Sequence, residues 1–260
     1  MARTIVFSGP TLKPSEVKAH DASFEAPGPA ACGSIYRAVV AGFRRIALVD
    51  GYFDQRLPVW HKEVLFALES GCEVFGAASQ GALRAAELDS FGMTGVGTIY
   101  QWFRDGVLED DDEVAVLHEL AETDYRVRSV AMVNFRATFS RLGERGLMSR
   151  AAIDSLLRIS KGLHYSARSF PQLLANMKSH PELQSAVGTL SAYLGERFQN
   201  AVNLKREDAF ALLERLGNVE PPIERRSFRL ARTEAWYEFQ RRQDAALGGQ
   251  PAAPVDAGSE

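Results

Sequence analysis

The stretch "EVFGAASQGALRAAEL", residues 73–88, joins a strand pattern to a helix pattern at a single serine. Residues 72–78 form a short apolar run typical of a buried strand, and residues 80–92 have helical spacing. Ser79 stands at the corner between them, with small residues on both sides. A tight strand-to-helix turn brings neighbouring backbones together, so it needs small residues and pushes the corner side chain outward. The stretch therefore predicts a βα unit with a projecting hydroxyl.

The same alternation fills the first hundred residues. Strands are predicted at 3–9, 45–51 and 72–78, and helices at 32–43, 59–71 and 80–92. This order predicts a parallel sheet with helices packed on it. Right-handed crossovers place the carboxyl ends of the strands along one edge, where ligands of open α/β sheets bind.

After about residue 100 the pattern becomes helical. Helices are predicted at 127–142, 150–160, 170–178, 184–200, 205–216 and 227–242. The predicted fold class is α/β: a small, mainly parallel sheet with flanking helices in the N-terminal half, followed by an all-helical C-terminal part. The predicted domains are an α/β catalytic core at 1–125, a helical region at 126–244 and a disordered tail at 245–260, which is small, polar and aperiodic.

Composition indicates a globular protein that acts on neither nucleic acid nor membranes. Hydrophobic residues make up 46% and charged residues 24% of the chain, and the net charge is −3. No run approaches the roughly 20 apolar residues of a membrane-spanning helix. The two cysteines, Cys32 and Cys72, lie far apart without metal-binding spacing, which favours reduced thiols and a cytoplasmic location.

Charge is unevenly distributed along the chain. Residues 105–124 contain nine acidic residues and no Lys or Arg, whereas residues 136–168 contain seven Lys or Arg against two acidic residues. Such blocks are commonly solvated helix faces, and the alternative is a pair of docking surfaces for charged partners. The acidic "EDDDEVAVLH" at 109–118 is better explained by an acidic helical turn than by a metal site, so no metal is predicted.

Ser79 has two interpretations. It can be a nucleophile, with the backbone N–H groups of Gln80 and Gly81 at the start of the next helix as an oxyanion site. It can also be a simple N-cap, the commonest role of serine at that position. The G-x-S-x-G pattern is not matched, since Ala77 stands at its first glycine.

A serine nucleophile needs a base, and two candidates are adjacent: His61 and Lys62. Neighbours on a helix point about 100° apart, so only one of them can face Ser79. A lysine acts as a base only if burial or a nearby cation lowers its pKa. Without such an environment, Lys62 is a surface lysine and His61 a local cap.

Further polar residues are predicted near the strand ends. Asp50 ends the second strand and either orients the base, holds a substrate amide, or simply makes an Asp-Gly turn. Gly9 ends the first strand at the same edge, and with the 91–97 segment "FGMTGVG" it could line a substrate groove. Arg84 and Glu87 read first as an i,i+3 ion pair and second as substrate ligands.

The strings "IVFSGPTL", "LVDGYFDQRLPVWHKEVLFALESG", "CEVFGAASQGALRAAELDSFGMTGVG" and "DEVAVLH" together resemble the TfuA-like proteins. The resemblance is dense over residues 4–118, and "NLKREDAFALLERL" is the best later match. It implies a partner of a YcaO enzyme, which uses ATP to activate peptide amides for thioamidation. It also implies a fold outside the common superfolds, and it implies no cofactor.

The resemblance further implies a serine–lysine pair that hydrolyses the C-terminal thiocarboxylate of ThiS, a ubiquitin-fold sulfur carrier, and releases sulfide. It also implies help for the YcaO enzyme in engaging its precursor peptide. Matched by motif, the pair is Ser79 of "ASQGA" and Lys62 of "HKE". Gln80 departs from the family, which often has methionine there, so substrate preference could differ.

Two other functions are weighed against this one. The chain could be a non-catalytic adaptor that docks the YcaO enzyme and the sulfur carrier in the biosynthesis of ribosomally made peptide natural products, with Ser79 only a cap. It could also be a nucleotide-binding domain, but it lacks both G-x-G-x-x-G and G-x-x-x-x-G-K-[ST] after its strands.

Overall fold

The structure is a computed structural model that describes residues 2–52, 56–218 and 228–248 of the chain. The strands are β1 (Thr4–Phe7), β2 (Arg45–Leu48), β3 (Glu73–Ala77) and β4 (Thr94–Val96). The helices of the first half are α1 (Pro14–His20), α2 (Ser34–Val40), α3 (His61–Glu69), α4 (Gln80–Leu88) and α5 (Thr98–Arg104). Those of the second half are α6 (Met132–Glu144), α7 (Arg150–Lys161), α8 (Phe170–Met177), α9 (Gln184–Leu194), α10 (Leu204–Gly217) and α11 (Glu234–Ala246).

The four strands form one parallel sheet in the order β1-β2-β3-β4. This confirms the predicted fold class, a parallel sheet with flanking helices followed by a helical part. The sequence did not predict β4, α1 or α5. Strand β4 has only three residues, one of them Gly95, so it carries no hydrophobic alternation to detect.

One face of the sheet is covered mainly by the crossover helices. Because the strands follow each other in sequence order, right-handed connections keep these helices on the same side. Tyr36 of α2 and Phe66 of α3 pack there with the sheet residues Ile46 and Leu48. Trp236 of α11 joins the same core and is fully buried.

The opposite face of the sheet also needs a cover, and the β1–β2 connection supplies a smaller part of it through Val17 of α1. Helix α10 supplies most of it, because its buried leucines pack with Val6, Ala47 and Phe75 of the three longer strands. Those leucines are Leu212, Leu213 and Leu216. A helix from the far end of the chain is thereby fixed across the sheet, and its first turn reaches the edge where β2 and β3 end.

Helices α6 to α9 build a hydrophobic core of their own, centred on Phe135, Phe139, Leu173 and Leu190. Helices α10 and α11 instead return to the sheet. The predicted division at 125/126 stays a prediction, and residues 249–260 of the predicted tail lie outside the described residues.

The acidic and basic blocks of the sequence partly neutralise each other. The Lys161 ammonium contacts the carboxylates of Asp110, Asp112 and Glu113, at 3.0 Å from the first and the last. Arg136 donates two hydrogen bonds of 2.8 Å to Glu113, and the buried Arg168 binds Asp112. These ion pairs join residues 110–113 of the acidic block to Arg136, Lys161 and Arg168 of the basic block. The paired side chains therefore bind each other within the protein instead of forming separate docking surfaces.

Among the helices in the described ranges, none combines the length and the apolar character that crossing a bilayer requires.

Candidate functional site

The corner between β3 and α4 has the tight geometry that its small residues predict. Ala78 adopts a left-handed backbone conformation, with φ of 66°, which costs a non-glycine residue about 1–2 kcal/mol. A β-carbon on Gly81 would overlap the carbonyl oxygen of Leu48, so α4 begins in direct backbone contact with β2. Strain of this kind persists only where surrounding packing enforces it, and it is concentrated at functional sites.

The Ser79 hydroxyl does not cap α4, although Ser79 occupies the N-cap position. Its side chain is 7% exposed, and no residue in the described part of the chain forms a hydrogen bond with it. The capping interpretation therefore loses its main support, because a capping serine accepts a hydrogen bond from the first turn.

The helix start offers one of the two predicted oxyanion donors. The Gly81 N–H donates to the Val49 carbonyl oxygen at 3.2 Å, so it is already used in packing α4 on β2. The Gln80 N–H has no partner within the described ranges. The structure thus corrects the sequence-based expectation for Gly81 and leaves Gln80 available.

A cavity of about 480 Å³ lies at this edge of the sheet. It is lined by strand-end residues, the Ser79 corner, the first half of α4, the 109–118 segment and one residue of α10. The members that matter for chemistry are Asp50, Gly51, Ser79, Gln80, His118 and Lys205. The cavity lies beyond the strand carboxyl ends, at the edge where the sequence predicts the site, and its role as the functional site stays a prediction.

Lys205, in the first turn of α10, is the lysine that shares this cavity with Ser79. It is 4% exposed, and its ammonium donates to the Val114 carbonyl oxygen at 2.8 Å. Burial lowers the pKa of Lys205, while the Asp50 carboxylate, 4.0 Å away, partly opposes this change. A desolvated lysine of lowered pKa is the kind that can be uncharged and accept a proton.

Asp50 is buried and saturated with donors. It accepts hydrogen bonds from the backbone N–H of Gly9 at 3.0 Å, and from the N–H and hydroxyl of Thr11 at 2.8 and 2.6 Å. It therefore ties the loop after β1 to the end of β2 and places a fixed negative charge beside Lys205. This supports the predicted orienting role over the simple turn. Gly9 lies behind Asp50, outside the cavity lining.

Lys62 and His61 lie away from the Ser79 cavity. The Lys62 ammonium donates to the Ala231 carbonyl oxygen at 2.9 Å and to the Thr233 hydroxyl at 3.0 Å, on an exposed surface. His61 lies 2.9 Å from the Glu87 carboxylate. Neither lines the cavity, so the structure does not bring the motif-matched lysine to the serine.

Arg84 and Glu87 form the predicted i,i+3 pair, at 2.6 Å, and both line the cavity. Burial pushes the pKa of Glu87 upward, but hydrogen bonds from His61 and Arg84 lower it on balance. Arg84 is mostly buried and also donates to the Val59 carbonyl oxygen at 3.2 Å, so its guanidinium is fixed rather than mobile.

The 109–118 segment forms another wall of the cavity. His118 donates from Nδ1 to the Glu119 carbonyl oxygen at 2.7 Å, so its Nε2 has no hydrogen when the ring is neutral. Residues 111–113 form a single 3₁₀ turn, so the acidic helical turn predicted there is not continued by an α-helix. The "FGMTGVG" segment becomes β4 and its approach, and none of its residues lines the cavity.

Sequence reasoning missed Lys205, although the sequence carries a signal for it. Residues 205, 209, 212 and 216 recur with helical spacing, and all but the first are apolar. A lysine that begins the apolar face of a helix is expected to lie either at the edge of the hydrophobic core or within it. Asp208, one turn later, is a second charged residue on the buried side of α10.

Asp208 anchors α10 to the start of α5. Its carboxylate accepts hydrogen bonds from the N–H groups of Thr98 at 2.9 Å and Ile99 at 2.7 Å. Burial raises the pKa of Asp208 to about 6, while these two bonds oppose the change. The anchor fixes the helix turn that carries Lys205.

Replacing this anchor by Asp208→Asn is expected to remove a pH dependence of stability. The folded state raises the pKa from an ordinary 3.8 to about 6, so the folded protein holds a proton that the unfolded chain releases. The contribution is fully present below pH 3.8 and is lost as pH rises through 6. The contribution of Asp208 protonation to the free energy of unfolding is up to about 3 kcal/mol.

Urea unfolding of wild type and Asp208→Asn at several pH values between 4 and 7.5 measures this contribution. Relative to the variant, the wild type should lose free energy of unfolding as the pH rises. Parallel curves for the two proteins would show that Asp208 does not titrate in this range.

The fold and the cavity define an α/β protein with a buried serine and a buried lysine at the carboxyl edge of a parallel sheet. The family model described as TfuA-like protein matches residues 50–169, in agreement with the family resemblance that the motifs predicted. The match includes the Ser79 corner and the 109–118 wall, whereas Lys205 lies beyond it. No curated protein in the comparison matches the chain. This match supports a role linked to YcaO-dependent thioamidation.

Proposed function

We propose that this protein hydrolyses the C-terminal thiocarboxylate of a ubiquitin-fold sulfur carrier of the ThiS type and releases sulfide for a YcaO enzyme. Ser79 is the nucleophile and Lys205 the base. This assignment moves the base from Lys62, the motif-matched candidate, to the lysine that shares the cavity with Ser79. The YcaO enzyme and, through it, a precursor peptide are the proposed partners.

The observation that carries the proposal is the pairing of two buried polar side chains around one cavity. Ser79 is not engaged as a cap, and Lys205 has its pKa lowered by burial. Each arrangement costs free energy, because a buried hydroxyl or amine without full compensation is destabilising. Both are expected at a site that needs an activated hydroxyl and an uncharged amine.

The reaction proceeds in two halves. Neutral Lys205 accepts the proton of Ser79 as its oxygen attacks the thiocarboxylate carbon, and the Gln80 N–H donates to the developing oxyanion. Protonated Lys205 then gives this proton to the sulfur, the carbon–sulfur bond breaks, hydrosulfide leaves with the bonding electron pair, and an ester forms on Ser79 while Lys205 is neutral again. Water, deprotonated by Lys205, then attacks the ester and restores Ser79 and a carrier carboxylate.

Electrostatics around the cavity fit an anionic substrate group that enters past an acidic rim. Arg84 is held in place by Glu87 and the Val59 carbonyl, and it supplies fixed positive charge near the first half of α4. Glu109, Asp110 and Asp111 also line the cavity. These carboxylates favour a carrier whose surface around its tail is basic.

A purified thiocarboxylated ThiS-type carrier tests the proposal directly. The protein should release sulfide catalytically and convert the carrier to its carboxylate, which mass spectrometry detects as oxygen in place of sulfur. Binding of the carrier without sulfide release would support the adaptor function instead. A carrier that neither binds nor reacts would exclude both functions.

A further inference from the structure

We propose that the second oxyanion donor is the backbone N–H of Gly51, at the carboxyl end of β2, acting together with the Gln80 N–H. This inference rests on the proposed function, because it assigns a group to the same reaction. It fills the position that Gly81 cannot, since the Gly81 N–H is bonded to Val49.

The backbone pairing around residue 51 sets the direction of its N–H. Ala30 donates to the Asp50 carbonyl oxygen and accepts from the Tyr52 N–H, both at 2.9 Å, in a parallel bridge opposite Gly51. In a parallel bridge of this kind, the residue between the two bonded partners points its own N–H to the other side. The Gly51 N–H therefore faces away from Ala30.

The side that it faces is the first turn of α4. The Val49 carbonyl oxygen, two residues earlier, accepts the Gly81 N–H, so α4 packs along this side of the strand. A β-carbon on Gly51 would overlap Oε1 of Gln80, which places residues 51 and 80 in contact. A larger residue at 51 would therefore displace the end of the Gln80 side chain.

Both N–H groups are free to act on a ligand. Within the described ranges, neither the Gly51 N–H nor the Gln80 N–H has a hydrogen-bond partner, and both residues line the cavity with Ser79. One donor comes from a strand end and one from a helix start, and the two residues are in contact. Two such donors hold an oxyanion, and each is worth a factor of about 10²–10³ in rate.

A backbone ester tests this assignment without changing a side chain. Gly51→glycolate, introduced as the α-hydroxy acid, replaces the N–H by oxygen. The matched control is Tyr52→4-hydroxyphenyllactate, which removes the neighbouring N–H that is bonded to Ala30. Circular dichroism and the melting temperature show whether both ester variants are folded. Two rates are compared: sulfide release from the thiocarboxylated carrier, and labelling of Ser79 by a fluorophosphonate, whose phosphoryl oxygen occupies the oxyanion position.

The ester at 51 should lower kcat for sulfide release by about 10²-fold, with KM nearly unchanged, and should slow labelling by a similar factor. The ester at 52 should lower the melting temperature and leave both rates within about threefold. Equal rates for wild type and the ester at 51, or equal losses at both positions, would overturn the assignment. A wild type that labels at Ser79 but releases no sulfide would contradict the proposed substrate alone, and the labelling rates would still decide the donor.

Discussion

Ser79→Ala is expected to reduce sulfide release by at least about 10³-fold, because among the described residues that line the cavity Ser79 alone is a serine or threonine able to form the acyl intermediate. The variant should keep its melting temperature, since the Ser79 side chain has no hydrogen-bond partner in the described part of the chain. It should still bind the thiocarboxylated carrier. Sulfide production and intact-protein mass, which detects the ester on wild-type Ser79, measure the effect.

Ser70→Ala is the matched control. Ser70 follows α3, and its hydroxyl, like that of Ser79, lacks a partner among the described residues, but Ser70 lies outside the cavity. Its loss should leave the rate within about twofold, as for a surface substitution away from the site. Full activity of Ser79→Ala would remove the nucleophile role and leave the adaptor function.

Lys205→Met is expected to lower kcat by about 10²–10⁴-fold, the usual contribution of a positioned base. Methionine fills a similar volume but leaves the Val114 carbonyl oxygen without the Lys205 donor, so the free energy of unfolding is expected to fall by about 1–3 kcal/mol and is measured beside the rate. The carboxylate of Asp50 keeps its bonds from Gly9 and Thr11. A loss of rate in a stable variant would therefore report chemistry.

Lys62→Met is the comparison variant. It removes two surface hydrogen bonds, to Ala231 and Thr233, and should change the rate by less than about threefold. The opposite ranking, with Lys62→Met inactive and Lys205→Met active, would restore the motif-matched lysine as the base.

The pH profile separates a base from a structural lysine. Burial lowers the pKa of Lys205, so the wild-type rate should rise with pH along a limb that lies below the ordinary lysine value of 10.5. The rate rises because deprotonation creates the base. That limb should be absent from the residual activity of Lys205→Met and present in Lys62→Met.

The Ser79 corner was predictable because every restraint on it is local. Small residues, a strand pattern and a helix pattern lie within residues 73–88, and together they permit only a tight turn. Asp50 was placed at the correct edge for the same reason, since parallel strands align their carboxyl ends. The base was not predictable in this way, because α3 starts near the edge but turns Lys62 toward the segment before α11.

By itself, the amino-acid sequence determined the parallel α/β core, the hydroxyl at its edge and the similarity of residues 50–169 to the TfuA-like family. These depend on spacing within short segments, and hydrophobic periodicity and turn chemistry report such spacing. Only the tertiary structure decided which lysine meets Ser79 and which N–H groups are free. Helix α10 covers most of the sheet face opposite α2 and α3. This packing places Lys205 at the end of β3, although Lys205 and Ser79 are 126 positions apart in the sequence. Contacts at that separation follow from how faces pack, and no local pattern encodes them.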